Sequence, residues 1–251
     1  MSKPLIKVDR VEKKFHDSNH HTTNAIKEIT LDINEGDFLT VFGPNGSGKT
    51  TLLNIIAKIE NPTTGSIEYG RENLKIGYVF QNYDESLLPW RTVEENINLP
   101  FENIESQEVI AKGKIEKVIK LLKLEQYRDK YPYMLSGGKK QLTALARALV
   151  IEPDILIMDE PFSSLDFDTT SEMEQLVMDI WKNLHVTILF VSHDIDEAIL
   201  LANKVIILSH KPSIIKTIID VDLVRPRNQE TVVSLPFMDI KKKVIEIYEK
   251  N

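Results

Sequence analysis

The sequence predicts an α/β protein whose central sheet is mostly parallel. Short runs rich in β-branched residues alternate with longer segments of helical spacing, which is typical of a parallel sheet covered by helices. Two of these runs are almost continuously apolar, as strands buried on both faces are. Polar residues follow both of them, so we expect a site at the carboxyl ends of these strands. The predicted strands are Leu5–Val8, Phe38–Phe42, Ile76–Phe80, Ile155–Asp159, Val186–Val191 and Val205–Leu208.

The β-strand pattern fades between Asn82 and Glu152, where helical spacing dominates. The clearest helices there are Ser106–Leu124 and Gly137–Val150, and a short charged amphipathic helix is predicted at Lys241–Lys250. No internal repeat, low-complexity tract or long linker divides the chain. We therefore predict a single domain over residues 1–251, in which residues 1–81 and 153–251 form the sheet part and residues 82–152 form a helical insertion.

Composition narrows the class of protein. The net charge of -7 over 251 residues provides no excess of Lys and Arg to neutralise phosphates, so general affinity for nucleic acid is not expected. The chain has no cysteine, which excludes disulfides and thiolate metal sites and fits a reducing compartment. Neither a signal-peptide core nor an apolar run of about 18 residues is present. We expect a cytoplasmic protein that is neither secreted nor membrane-spanning by itself.

The most specific motif is a phosphate-binding loop. Residues 43 to 50 read Gly43, Pro44, Asn45, Gly46, Ser47, Gly48, Lys49 and Thr50, and they fit G-x-x-x-x-G-K-[ST] between a predicted strand and a predicted helix at Thr51–Lys58. The glycines let backbone N–H groups converge on phosphates, and Lys49 neutralises their charge. Thr50 is predicted to ligate Mg²⁺, and Thr51 is assigned to nucleotide binding with the loop. The motif predicts a Mg-dependent nucleotide triphosphatase.

A second acidic group for the metal is expected at the end of another strand. Asp159 ends the buried run Ile155–Asp159, and Glu160 follows it directly. Adjacent residues at a strand end point apart, so Asp159 is predicted to hold Mg²⁺ while Glu160 faces the attacking water as general base. Without the phosphate-binding loop, these would equally well be ordinary surface acids at a strand end.

The remaining motifs resemble those of ATP-binding cassette (ABC) ATPases. Leu135, Ser136, Gly137 and Gly138 open a predicted helix about twenty residues before Asp159 and resemble the family signature. Gln81 resembles the Q-loop, Ser163–Asp166 the D-loop and His193 the switch histidine. Phe15 resembles the aromatic residue that stacks on adenine, although it also fits a half-buried core position. The resemblance implies a P-loop NTPase fold of the ABC type, with an antiparallel β subdomain and an inserted helical subdomain.

The resemblance also implies how the site works. Ser136 is expected to cap the helix that begins near Gly137, which leaves glycine amides and a positive helix end facing an anion. In the family this signature contacts the γ-phosphate bound to the other subunit, so two ATP molecules lie between two copies of the chain. Gln81 then helps to ligate Mg²⁺, His193 contacts the γ-phosphate, and Asp166 communicates across the dimer interface.

The chain departs from the commonest family signature at two positions, and it has three N-terminal histidines that need to be weighed as a metal site. Lys139 and Leu142 stand where the commonest signature has Gln and Arg. Lys139 either strengthens attraction to the opposed nucleotide or only replaces a surface contact. The residues His16, His20 and His21 are expected in a solvated loop and not in a metal site, because no acidic or cysteine partners have ligand spacing.

An ATPase of this family drives another process, and one segment indicates which. Leu87-Leu-Pro-Trp90 is expected to be an exposed apolar patch that receives a helix of a transmembrane permease subunit; Trp90 also fits a core position. This segment, His193–Ala202 and Val221–Arg227 resemble importers of nitrate, sulfonate, taurine and pyrimidine precursors, and such importers use a separate solute-binding protein. Segment Asn82–Ser86 is longer than the family usually has. The predicted function is the ATPase of an importer for a small anionic or heterocyclic solute, at the cytoplasmic face of the membrane. The alternatives are an exporter or lipoprotein-extracting ABC ATPase and a soluble ABC ATPase without transport.

Overall fold

A computed structural model describes residues 3–16, 21–102 and 108–249. The chain divides into two compact units, each described by itself. The sheet unit comprises Met1–Leu74 and Ser171–Asn251, and the helical unit comprises Lys75–Thr170. These bounds differ from the helical insertion predicted at residues 82–152, which stays a prediction.

An antiparallel sheet of three strands forms the first part of the sheet unit. Its strands are β1 (Ile6–His16), β2 (Thr22–Ile33) and β4 (Thr64–Tyr69), with β1 in the middle. The prediction of a strand at Leu5–Val8 was too short, because β1 continues to His16. The predicted loop is therefore wrong for His16, whose Nδ1 lies 3.0 Å from the Thr22 hydroxyl. His20 lies outside the described residues.

The second sheet of this unit carries the predicted parallel strands. Strand β3 (Phe38–Phe42) pairs in parallel with both β7 (Thr187–Ser192) and β8 (Lys204–Leu208), and β9 (Ile215–Asp220) adds an antiparallel edge. Every residue of β3 and β7 is buried. The bounds predicted for β3 are confirmed, and those of β7 and β8 shift by one residue.

Helices cover this sheet and extend beyond the predicted ones. They are α1 (Lys49–Ile56), α6 (Phe167–Leu184, which starts in the helical unit), α7 (Ile195–Leu201), α8 (Gln229–Val232) and α9 (Leu235–Glu249). The prediction of Lys241–Lys250 missed the first half of α9. The buried Phe237 anchors that first half. Near the end of α9, the Tyr248 ring packs on Phe42 with 5.3 Å between ring centroids.

The described residues of the helical unit form a parallel pair of strands and four α-helices, besides short 3-10 turns. Strands β5 (Ile76–Val79) and β6 (Ile155–Asp159) pair with Val79 opposite Met158. The helices are α2 (Tyr83–Ser86), α3 (Val93–Asn98), α4 (Glu108–Leu121) and α5 (Gly137–Leu149). The predicted helices Ser106–Leu124 and Gly137–Val150 correspond to α4 and α5. Residues 106 and 107 lie outside the described part of the chain. No described helix is long and apolar enough to cross a membrane.

A buried asparagine fixes the loop that precedes α3. The Asn96 side chain accepts from the Leu88 N–H at 2.8 Å and donates to the carbonyls of Leu88, Arg91 and Thr92. Thr92 caps α3 together with Glu95 in a capping box. The loop from Leu88 to Thr92 is thereby fixed from inside, although it lies at the surface.

A buried arginine fixes the backbone at the end of α7 by side-chain hydrogen bonds. The Arg227 side chain is only 1% exposed and donates to five backbone carbonyls, those of Ile199, Leu200, Ala202, Val221 and Leu223. Three of these carbonyls belong to the last turn of α7 and the residue after it, which have no further helical N–H to accept from. The guanidinium therefore ties α7 to the segment after β9.

Replacing this arginine should destabilise the protein strongly. We expect Arg227→Met to lower the free energy of unfolding by about 3 kcal/mol, because buried carbonyls lose charge-assisted hydrogen bonds. Urea unfolding followed by circular dichroism measures it. Arg71→Met is the control, since Arg71 pairs with Glu35 at the surface and its loss should cost no more than about 0.5 kcal/mol. Equal stability of the two variants would contradict the role assigned to Arg227.

Candidate nucleotide-binding site

The phosphate-binding loop and His193 leave the same edge of the parallel sheet. In the register of β3 and β7, Phe42 lies opposite Ser192. Gly43 and His193 are the next residues on these two hydrogen-bonded strands, so the chain brings together two of the predicted site segments. The carboxyl edge of a parallel sheet is where ligands bind in open α/β folds.

The loop turns tightly into α1. Gly48 occupies the N-cap position with φ of 92°, a left-handed conformation that favours glycine, and a Cβ there would lie 3.1 Å from the Ala25 carbonyl oxygen. Ser47 N–H donates to the Pro44 carbonyl at 3.1 Å. The buried Lys49 bends back over the loop and donates to the carbonyls of Gly43 and Pro44 at 3.0 and 3.3 Å.

These residues fit a bound polyphosphate with its magnesium. Within the described residues, no side chain caps α1, and its first turn of Lys49, Thr50 and Thr51 holds no acid. The positive end of the helix is therefore left for an anion. The Ser47 hydroxyl oxygen is buried and has no hydrogen-bond partner among the described residues, and a Cβ on Gly46 would meet no described atom within 4 Å. Thr50 is exposed in the first turn and offers the hydroxyl that Mg²⁺ prefers as a ligand.

The turn that carries His193 is fixed on both sides. Before it, the Ser192 hydroxyl accepts from the Asp194 N–H at 2.9 Å and donates to the Asp194 carbonyl at 3.0 Å. After it, the Asp194 carboxylate caps α7 by accepting from the N–H groups of Asp196 and Glu197. His193 itself is exposed. The imidazole therefore projects from a backbone that has little freedom to move.

A buried acid that the sequence did not single out lies close to this turn. Glu174 on α6 is buried, and Gln229 donates to one of its oxygens at 3.3 Å. Burial, and secondarily the negative charge of Asp194, raises the pKa of Glu174 to about 7. No sequence pattern marks this residue, because its environment arises only when α6 packs beside the Asp194 turn.

Phe15 is exposed enough to stack on a base. It lies near the end of β1 with 41% of its surface exposed, so the ring is accessible, and its contact with the base stays a prediction. The ammonium of Lys13 lies 5.0 Å from the ring centroid and is held by Glu60 at 2.6 Å and by the Asn61 carbonyl at 2.8 Å. One cation thus supports the orientation of the ring.

In the helical unit, Gln81 and Glu160 meet. Each follows one strand of the parallel pair β5 and β6, and the Gln81 amide donates to the Glu160 carboxylate at 3.1 Å. Asp159 is buried at the end of β6, whereas Glu160 is partly exposed. Glu160 has φ of 43°, which is strained for a residue other than glycine. The two adjacent carboxylates therefore have different environments, as the predicted division between metal ligand and base requires.

Tyr78 lies close enough to Asp159 for the two side chains to interact electrostatically. Burial and then the charge of Asp159 raise the pKa of Tyr78 above its ordinary value. Its ring stacks on Phe80 at 4.3 Å between centroids. Tyr78 therefore stays a neutral, rigid neighbour of the predicted metal-binding carboxylate.

The signature segment corrects one prediction. Ser136 occupies the N-cap position of α5 with extended backbone angles, but its side chain makes no cap hydrogen bond with any described residue. The expectation that the Ser136 side chain caps α5 is wrong, because this exposed residue makes no side-chain hydrogen bond to the first-turn amides. Lys139 lies 5.3 Å from the centroid of the Tyr127 ring, and Leu142 is buried. Lys139 therefore makes a contact within its own unit.

The signature and the D-loop touch through one threonine. A Cβ on Gly138 would lie 2.9 Å from the Thr169 methyl group. Thr169 in turn donates to the Asp166 carboxylate from its N–H at 2.9 Å and from its hydroxyl at 2.8 Å. These two hydrogen bonds lower the pKa of Asp166. Gly138 and Asp166 are thus linked through Thr169, a residue that the motifs do not include.

The segment Asn82–Ser86 after Gln81, which was expected to be longer than usual, is also anchored. It contains α2, and Lys140 pairs with Asp84 at 2.7 Å while Arg147 donates to the carbonyl and hydroxyl oxygens of Ser86 at 2.6 and 3.1 Å. Both basic residues lie on α5. These contacts connect the Gln81 segment to the signature helix.

The family model for ABC transporters matches residues 26–163. The chain belongs to the ABC transporter family. Its fold is the α/β P-loop fold of ABC ATPases, with a mostly parallel core sheet, an antiparallel β subdomain and an inserted helical subdomain. It is an ATPase that uses ATP and Mg²⁺.

Relatives and solved structures agree with this assignment. The aliphatic sulfonates import ATP-binding protein SsuB of Bacillus cereus is 37% identical over 98% of this chain and 96% of that protein. The nitrate import ATP-binding protein NrtC of Synechococcus elongatus is 37% identical over 98% of this chain and 38% of that protein. The ABC transporter cassette MJ0796 was solved as a dimer and, in a second structure, as a dimeric post-hydrolysis state bound to ADP and Pi. Each structure matches this chain with a TM-score of 0.73 and 28% identity, over 88% of this chain and 100% of the solved chain. These likenesses support a second copy and permease subunits as partners.

The buried acid beside the His193 turn should make stability depend on pH. A carboxyl whose pKa is raised on folding favours the folded state below its unfolded value near 4.5 and loses that contribution as the pH rises through about 7. We therefore compare the free energy of unfolding of Glu174→Gln with that of wild type at each pH. The difference, variant minus wild type, should be about 2 kcal/mol larger at pH 8 than at pH 5. Urea unfolding at both pH values measures this difference. Glu172→Gln, on the exposed side of the same helix, should show none. The same shift at both pH values would contradict the proton linkage.

Proposed function

We propose that the chain is the ATP-hydrolysing subunit of an importer for a small anionic solute, acting at the cytoplasmic face of a membrane. The observation that carries this proposal is the full-length likeness to import ATP-binding proteins, together with an exposed tryptophan on a fixed loop. Nitrate and aliphatic sulfonates are the solutes named for the relatives. A solute of this chemistry would be delivered by a separate binding protein, and the ATPase need not contact it.

The surface for the permease is proposed on the helical unit. Trp90 is 69% exposed at the tip of the loop that Asn96 fixes, whereas Leu87 in the same segment is buried. The expectation that all of Leu87-Leu-Pro-Trp90 is exposed was therefore wrong, and the apolar patch is centred on Trp90. A large aromatic side chain on a rigid backbone binds a partner with little loss of conformational entropy.

ATP hydrolysis is proposed to require two copies of the chain. Lys49 and the backbone N–H groups of the loop from Asn45 to Thr51 bind the phosphates of one ATP, and Phe15 stacks on its base. Ser136, Gly137 and Gly138 of the second copy contact the γ-phosphate, with Asp166 at the interface between copies. The uncapped starts of α1 and α5 both present positive helix ends, which supports a phosphate between them.

The chemical step is assigned to the residues that follow the strands. Thr50, Gln81 and Asp159 hold Mg²⁺, which neutralises phosphate charge when it is bound. Glu160 accepts a proton from the attacking water, and its hydrogen bond from Gln81 orients the carboxylate before the reaction. His193 contacts the γ-phosphate from its fixed turn.

Replacement of the proposed base tests this mechanism. Glu160→Gln should bind ATP but hydrolyse it at least about 100-fold more slowly, because the amide accepts no proton. It should also accumulate a dimer in the presence of ATP, since closure precedes hydrolysis. Phosphate release and light scattering after size exclusion measure the two effects. Lys49→Ala is the matched control and should neither bind ATP tightly nor dimerise. Unchanged turnover in Glu160→Gln would remove Glu160 as the base.

Coupling to a membrane protein has its own test. The tagged chain should co-purify with a polytopic membrane protein after mild detergent extraction from the membranes of its source. Trp90→Ser should lose most of this partner and keep ATP binding. Ile59→Ser, which changes an exposed apolar residue of the sheet unit, should keep both. Recovery of an importer-type permease supports the direction of transport. Recovery of an exporter, or of no membrane protein, contradicts it.

A further inference from the structure

An open cavity in the sheet unit is not used by the proposed mechanism. Its volume is about 270 Å³, and it lies between α6 and the segment after β9. Its lining residues are Gln175, Met178, Asp179, Trp181, Lys182, Arg225, Pro226 and Arg227. The last three belong to Val221–Arg227, a segment whose resemblance to importers the ATPase mechanism leaves unexplained.

The cavity carries positive charge that its surroundings do not neutralise. The Arg225 guanidinium donates to the Leu201 carbonyl at 2.7 Å, and Arg227 donates to carbonyls as described above. Neither arginine, nor Lys182 at the rim, forms an ion pair with a described carboxylate. Burial and then repulsion from Arg225 lower the pKa of Arg227 to about 10. The acids nearby are Asp179, which accepts from Gln175 at 3.1 Å, and Asp222.

The walls beside these charges are apolar and fixed. The Arg225 guanidinium stacks on the Trp181 ring at 4.3 Å, and the Trp181 N–H donates to the Gly36 carbonyl at 2.9 Å. Met178 is buried at the wall and Pro226 lies on the other side. A rigid apolar wall beside convergent donors is the usual form of a small-molecule site.

The cavity is separate from the phosphate-binding loop. Trp181 is joined to Gly36, which precedes β3, whereas the loop follows the opposite end of β3. Five residues of extended strand span roughly 16 Å. An occupant of the cavity is therefore out of reach of the phosphates.

We propose that this cavity binds a small organic oxyanion, a carboxylate or sulfonate that bears a planar apolar group. The anionic group would accept from Arg225 and Lys182, and the planar group would lie against Trp181, Met178 and Pro226. The Arg225 guanidinium, held by stacking on Trp181 and by the Leu201 carbonyl, has further N–H groups that an acceptor can use. The occupant would also contact the arginines that hold the end of α7, the helix that begins at the His193 turn.

Trp181 provides the reporter for a direct test. In a Trp90→Phe background it is the only tryptophan of the chain. Titration with benzenesulfonate should change its emission along a saturable curve. Benzenesulfonamide, which is neutral and of nearly the same shape, should bind at least about tenfold more weakly, because it lacks the charge. Sodium chloride at equal ionic strength controls for screening. A linear response, or equal binding of the two compounds, would overturn the proposal.

Variants locate the site and separate it from ATP binding. Arg225→Gln should weaken benzenesulfonate binding about tenfold, and the surface change Lys182→Gln should weaken it about threefold. Lys242→Gln removes an exposed charge elsewhere in the sheet unit and should leave the affinity unchanged. Lys49→Ala should also leave it unchanged, so a failure of the nucleotide site would not be mistaken for a failure of this one. Circular dichroism verifies folding, and wild-type affinity in folded Lys182→Gln and Arg225→Gln would overturn the assignment.

Discussion

The main-chain hydrogen bonds between β3 and β7 are the constraint on which the nucleotide site of the sheet unit depends. They place Phe42 opposite Ser192, so the phosphate-binding loop and the His193 turn begin side by side. Because both strands are buried on both faces, a shift of one residue would exchange the side chains of the two faces and disrupt the close packing on each. The register is therefore set by packing, and the two turns inherit their relative position from it. A short Gly48 turn and the Asp194 cap then fix the backbone of each segment.

The sequence predicted the buried strands and the motif-bearing loops well, for a physical reason. Strands β3 and β6 are mostly apolar and buried throughout, and they were found with their bounds; the phosphate-binding loop has a highly specific spacing. Strands β2 and β4 escaped prediction because many of their residues are exposed and polar, and β9 because none of its residues is fully buried. Irregularities in the pairing of β1 with its neighbours further interrupt the alternation.

Contacts between distant segments were beyond sequence reasoning. The Gln81 and Glu160 segments were predicted separately, but their hydrogen bond appears only when β5 and β6 pair. Lys13 and Glu174 have no motif, because their roles come from the Phe15 ring and the Asp194 turn. Burial of Leu87 depends on how the Asn96 loop closes. In each case the local sequence permits several environments, and tertiary packing selects one.

The contact between Gly138 and Thr169 has a consequence for how these sequences evolve. Glycine at position 138 leaves its backbone amide accessible, and its lack of a Cβ leaves room for the Thr169 methyl group. The residues at positions 138 and 169 are therefore coupled. During divergence, an alanine at position 138 becomes tolerable only after residue 169 has lost that methyl group, as in a change to serine that keeps the hydroxyl for Asp166. Positions 138 and 169 are therefore expected to change as a linked pair, and a chimera that brings a larger residue to position 138 while keeping Thr169 meets a steric clash.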